Sequence, residues 1–266
     1  MIKTDAGVAS AALAALATVR DPELDEPVTA LGFVASCVVS AAGRATVRLR
    51  LPTYFCAPNF AFLMVADAYD AVTQVPGVTS AEIILEDHFA SDAINAGVAA
   101  QAGFVGSFTG EATEELDALR AQFLGKAVMA GTDQVCRPLL AAGRTSAELL
   151  ALTLGAVPGS PELARLRQRR ADLGLSAGDD APLLIDPQTG ERIGEAAVPL
   201  HLRKARVTRA GIEANTSMCT GMLAVRYPRQ ATGAALPGHQ ARTVPRSGGT
   251  TSEGSTTAQV SRDAGH

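Results

Sequence analysis

The sequence predicts an α+β protein. It should comprise a small helix–strand–strand–helix–strand domain, a mainly helical extension and a disordered tail. Three observations carry this reading. Residues 45–51 alternate strictly, with Val47, Leu49 and Leu51 on one side and Thr46, Arg48 and Arg50 on the other, which is the period of a strand buried on one face. Apolar residues recur at helical spacing on both sides of that strand, as Val8, Ala12, Leu16 and Val19, then Phe62, Val65, Tyr69 and Val72. Beyond residue 228 there is no aromatic residue, and Gly, Ser, Thr and Pro dominate; such a composition buries too little apolar surface to offset ordering entropy.

In chain order, residues 5–20 form the first helix, stopped by Asp21-Pro22 because Pro disfavours α backbone in its predecessor. An acidic, Pro-rich loop follows. Phe33 to Val39 reads as a strand with Phe33, Ala35, Cys37 and Val39 on one face. Gly43 turns the chain into the alternating strand, giving an antiparallel hairpin. Pro58 suits the first turn of the second helix, to Val72. Val75-Pro76-Gly77 turns into a third strand, Val78 to Leu85. These elements define a first domain at 1–89. The extension, 90–228, is mainly helical: Leu116, Leu119 and Phe123 share a face, and Thr145 with Glu148 is placed as a capping box. Ser160-Pro161 opens a further helix that stops at Gly174, and Asp186 to Gly190 is a turn. Residues 200–228 fit helix or strand equally. The tail is 229–266.

Composition narrows the function. The chain has 266 residues, 47% of them hydrophobic, with 19% charged, 4% aromatic and no Trp, so the core must be aliphatic. A net charge of −4 and a pI near 5.6 disfavour nucleic acid, which requires a basic footprint. No run of about 18 apolar residues is present, so no membrane span is expected. The first residues lack the apolar stretch of a secretory leader. A cytoplasmic location with reduced thiols is the resulting expectation. Cys37, Cys56, Cys136 and Cys219 are too scattered for a ready-made zinc module. No phosphate loop, dinucleotide fingerprint, nucleophile elbow or zinc-protease motif occurs.

Two loops attract attention. Asp21-Pro22-Glu23-Leu24 follows the first helix, and Pro52-Thr53-Tyr54-Phe55-Cys56-Ala57 joins the second strand to the second helix. Cys56 would sit at a helix N-terminus, where the dipole and free N–H groups favour a thiolate, the form that ligates iron. Thr53 could hydrogen-bond the sulfur, and Asp21 and Glu23 could supply oxygen ligands or accept protons. Read from its position alone, Cys56 fits a small buried hydrophobe equally well.

Taken together, Asp21-Pro22-Glu23, Leu31-Gly32-Phe33-Val34, the hairpin and Thr53-x-x-Cys56 resemble the SufT/PaaD-like iron–sulfur (metal–sulfur) cluster assembly family over residues 8–86. The resemblance implies a small α/β domain that assists cluster insertion, with Cys56 as functional cysteine and Asp21, Glu23, Leu24 and Thr53 in support. This chain has Pro52 where the family often has Thr, and Ala57 stands between the cysteine and Pro58. The extension resembles proteins that accompany bacterial multicomponent di-iron monooxygenases. The expected function is that of an accessory factor for an apo-protein client, an iron–sulfur or di-iron enzyme. Cargo would be a transient iron or iron–sulfur cluster, with none tightly bound. A homodimer is the other partner considered. The alternatives are an interaction scaffold of an oxygenase complex and, third, a thiol- or metal-dependent enzyme.

Other candidates rank lower. His88, in Glu86-Asp87-His88, could bring an imidazole near Cys56 as a metal ligand, although a polar loop explains it more simply. Cys219 is the best second thiol. Asp92 and Asn95 fit a capped helix start. Cys37 and Cys136 read as core. Two basic clusters, Arg165, Arg167, Arg169 and Arg170, then Arg203, Lys204, Arg206 and Arg209, could meet an acidic partner, but a solvated face is the simpler reading.

Overall fold

A computed structural model describes residues 5–228; the tail expected at 229–266 lies outside them. The elements are α1 (Ala6–Leu16), β1 (Val34–Val39), β2 (Arg44–Arg50), α2 (Pro58–Thr73) and β3 (Ser80–Glu86), then α3 (Ser91–Ala99), α4 (Gly103–Ser107), α5 (Asp117–Ala141), α6 (Ser146–Ala151), α7 (Pro161–Asp172) and α8 (Val198–Arg226). The expected class is therefore found: a helix, a three-stranded sheet and a mainly helical extension.

The sheet has the order β1-β2-β3, antiparallel between β1 and β2 and parallel between β2 and β3. A parallel neighbour needs a crossover, and α2 supplies it. Val47 and Leu49 of β2 face the core and are fully buried. On the other face Arg48 and Arg50 both reach Glu86 on β3, at 2.6 and 2.9 Å. Gly43 has φ +78°, and a Cβ there would lie 2.5 Å from the Gly77 carbonyl oxygen, so only glycine lets the hairpin turn pass that close.

Two expectations change in detail. The first helix ends at Leu16, well before Asp21-Pro22, and residues 17–19 continue as tight turns before a bridge between Arg20 and Pro27. On β1 a register shift between Val34 and Ser36 breaks the alternation, so Ala35 is exposed while Phe33 and Val39 are buried.

Two apolar cores form. The first joins α1, the sheet, α2 and α3, and also takes in Leu223 near the end of α8. The second joins α5, α6, α7 and residues 181–184 to the start of α8. The Thr145–Glu148 capping box and the Ser160 cap of α7 both form. The basic cluster on α7 is not a solvated face. Arg170 is 0% exposed, and its guanidinium donates to the Pro182 and Leu183 carbonyls at 2.8 and 2.6 Å. Arg169 is 5% exposed and pairs with Asp25 at 2.5 Å. Both point inward because α7 is sandwiched, and acceptors distant in sequence, Asp25 and the 182–183 carbonyls, take part of each guanidinium's donors.

Residues 200–228 resolve as helix. Their inward stripe is Val198, His201, Ala205, Arg209, Ile212, Thr216, Cys219, Leu223 and Arg226, each three or four residues from the last, the spacing of one helix face. Arg209 on this stripe meets Asp133 of α5 at 2.6 Å. Among the described residues no helix is long and apolar enough to cross a membrane.

Candidate functional site

Three loops at one rim of the first core carry the candidate residues: 21–24, 51–57 and 87–90. In the first, Asp21 Oδ1 accepts the N–H groups of Glu23 and Leu24 at 2.8 and 2.9 Å. This fixes the turn and leaves Leu24 buried in the core as its anchor. Burial pushes the Asp21 carboxyl above its usual range, against those two donors. Glu23 is half-buried and accepts from Asn215 Nδ2 of α8 at 3.3 Å.

In the second loop Cys56 immediately precedes the α2 cap residue Ala57, with Pro58 at the first helical position. Its sulfur lies 3.3 Å from Thr53 Oγ1. That oxygen already accepts the Phe55 N–H at 3.2 Å, so the hydroxyl proton is free to be donated to the sulfur. Cys56 is half-buried against the first core.

The third loop holds the Cys56 backbone. His88 is 3% exposed, and its Nε2 is 2.7 Å from the Cys56 carbonyl oxygen, while Nδ1 accepts the Ala90 N–H at 3.2 Å. The two partners fix a neutral imidazole protonated at Nε2. Burial pushes its pKa below 6.5, with the nearby Arg226 charge adding to the effect and the Cys56 carbonyl opposing it. His88 thus touches the peptide of Cys56, and both ring nitrogens are engaged. Asn95 caps nothing: its amide bonds the Leu85 N–H and carbonyl at 2.9 and 3.1 Å and so fastens the end of β3, while the N-cap of α3, Ala90, provides no side-chain hydrogen bond.

The C-terminal half of α8 crosses all three loops. Asn215 bonds Glu23, Leu223 packs at Gly32, and Arg226 donates to the Leu51 carbonyl at 3.1 Å and to the Asp87 carbonyl. Tyr227 donates to Asp87 Oδ2 at 2.9 Å. Cys219 falls between Asn215 and Leu223 on the same face and packs against the first core. Burial, then the charges of Asp21, Cys56 and Glu23, push the Cys219 thiol up to about 11. The fold therefore puts Thr53 against the Cys56 sulfur and His88 behind the Cys56 peptide, while Glu23 and Cys219 meet through the face of α8 that also carries Asn215. Cys37 is half-buried on β1, and burial raises its thiol; Cys136 is 1% exposed in the second core and pushed up to about 12, burial first and Asp133 next. Among the described residues no group of three or more His, Cys, Asp and Glu is arranged to hold a metal ion.

The sequence missed two features of this rim. One is α8 as its lid-like brace. The other is a cluster of exposed aromatics beside Cys56: Tyr54, Phe55 and Phe89, with ring centroids 5.0 to 6.3 Å apart. Phe55 is 77% exposed. The run Tyr54-Phe55 in an otherwise aromatic-poor chain was the available signal.

The first domain is thus a small α/β unit with a cysteine at the start of a helix. Residues 9–83 match a family model described as iron-sulfur cluster assembly protein. The first domain is thus similar to that family, and the match supports a role in iron–sulfur cluster assembly. No curated protein matches the chain.

Proposed function

We propose that the protein is an accessory factor that passes iron or an iron–sulfur cluster to an apo-protein client, with Cys56 as transient ligand and Cys219 as a second thiol. The observation that carries this reading is the placement of Cys56 at the start of α2, its sulfur 3.3 Å from Thr53 Oγ1, on the edge of the first core against which Cys219 of α8 also packs. Clusters usually take about four protein ligands. Two thiols on this chain leave room for ligands from the client, which suits transfer better than storage. Ligation exchanges the thiol proton for iron, and the half-buried Glu23 carboxylate on the neighbouring loop is the acceptor proposed for it. The exposed aromatics Tyr54, Phe55 and Phe89 offer the client an apolar foothold at the mouth of the site. An iron–sulfur or di-iron enzyme, such as a monooxygenase component, is the client class proposed.

A second reading, a binding scaffold, is favoured by the same aromatic cluster, whose exposure needs no thiol chemistry. Anaerobic reconstitution with ferrous iron and sulfide, followed by desalting, separates the two. The proposal expects retained iron in the native protein and its loss in Cys56→Ser. Equal iron in both proteins favours the scaffold.

A further inference from the structure

Among the described residues nine large apolar side chains are exposed, and five of them lie on α8: Leu200, Val207, Met218, Met222 and Val225. Singly scattered apolar groups are ordinary on a surface, but these five are aligned. Their intervals of 7, 11, 4 and 3 positions are each close to a whole number of turns. All five therefore fall within about 60° on one face of the helix. Val207 is 65% exposed and Val225 83%, so the stripe stands in solvent beside the inward one that serves the two cores.

Two glycines on the same side point to a close neighbour. Gly211 and Gly221 lie inside α8, neither has a positive φ, and a Cβ at either would meet nothing within 4 Å. Glycine weakens a helix interior relative to alanine. Neither the backbone nor the chain's own packing calls for it here, whereas a second helix axis brought close to α8 does.

Charge identifies the occupant. Arg203 and Lys204, one turn before Val207, are exposed together with Arg206, and none of the three is in an ion pair among the described residues. Glu213 is the only acidic residue of α8, and Arg209 holds it. A second copy would thus meet this face with no acid to offer. Residues 229–266 carry Arg229, Arg242, Arg246 and Arg262 against Glu253 and Asp263, so they do not supply an acidic face either. Helices that lie on membranes spread Lys and Arg along the polar side and anchor with Trp or Phe. This stripe has no aromatic residue, and its unpaired cations sit at one end.

We propose that the exposed face of α8 is a docking seam for an amphipathic helix of a partner protein. The partner's apolar stripe packs over Val207, Met218 and Val225, and its carboxylates meet Arg203 and Lys204. The seam goes beyond the thiol site, and its test involves no iron.

Fluorescence anisotropy of the full chain with a labelled synthetic helix tests the inference. The peptide has about 25 residues, enough at 1.5 Å per residue to span the seam, with leucines at every third and fourth position and glutamates beside them. Saturable binding is expected. The same peptide with lysine in place of glutamate should bind about tenfold more weakly or worse. Val207→Glu should weaken binding of the acidic peptide by at least about tenfold. Gly221→Gln should also weaken it while raising the melting temperature, because glutamine is the better helix former. No saturable binding of the acidic peptide, equal binding of the lysine peptide, or full affinity in both variants would overturn the proposal. So would binding to phosphatidylglycerol vesicles in place of the peptide, or a dimer in sedimentation that Val207→Glu dissolves.

Discussion

The two cores treat polar groups in opposite ways. The second encloses them: Arg170 is spent on two backbone carbonyls, and Cys136 is sealed with its proton. The first keeps an aliphatic interior and puts its polar groups on a rim of three loops. The thiols follow the same division. Cys136 is a packing residue, whereas Cys56 and Cys219 are half-buried at the edge of the first core. The helix α8 links the regions by serving one core at its start and the other at its end.

The largest effect should come from breaking the enclosed region. Arg170→Met leaves the Pro182 and Leu183 carbonyls without their donors, and denaturant titration should show a loss of about 3 kcal/mol. Leu223→Ala should cost about 2–3 kcal/mol. It should also sharpen the contrast between the cores, because freeing the end of α8 should speed alkylation of Cys219 and leave Cys136 protected. Peptide mapping after iodoacetamide treatment would read both sites.

Titration of the rim gives a smaller effect. His88 has a folded pKa below its unfolded value of 6.5, so the unfolded chain binds its proton first. Its contribution is complete above pH 6.5 and is lost as pH falls from there toward the folded pKa. His201 shifts the same way, mainly by burial. Asp21, raised by burial, works in the opposite sense at lower pH. Stability should therefore fall on acidification below about pH 6.5. The fall should be shallower in His88→Asn, measured by thermal melts across pH 5–8.

How much the sequence revealed follows the same physics. β2 was legible because a sheet buried on one face imposes strict alternation, and Pro58, Thr145 and Ser160 mark helix starts by local chemistry. Cys56, Thr53 and the Asp21 loop were legible from short spacings and order. The fold of α8 was not, because its inward stripe is written in His, Arg, Thr and Cys, residues that read as surface until their partners are known. The same blindness made Arg169 and Arg170 look solvated. Their acceptors, Asp25 and residues 182–183, are fixed only by tertiary packing. His88 was located near Cys56, but its engagement with the Cys56 carbonyl depends on where β3 ends.

The central claim is that Cys56 and Cys219 act as one site. Iron retained after anaerobic reconstitution, measured for Cys56→Ser, Cys219→Ser and the double variant, tests it most directly. One shared site predicts that each single variant loses most of the iron and that the double variant loses little more, the non-additivity of coupled positions. Independent, additive losses, or full retention in Cys219→Ser, would contradict it.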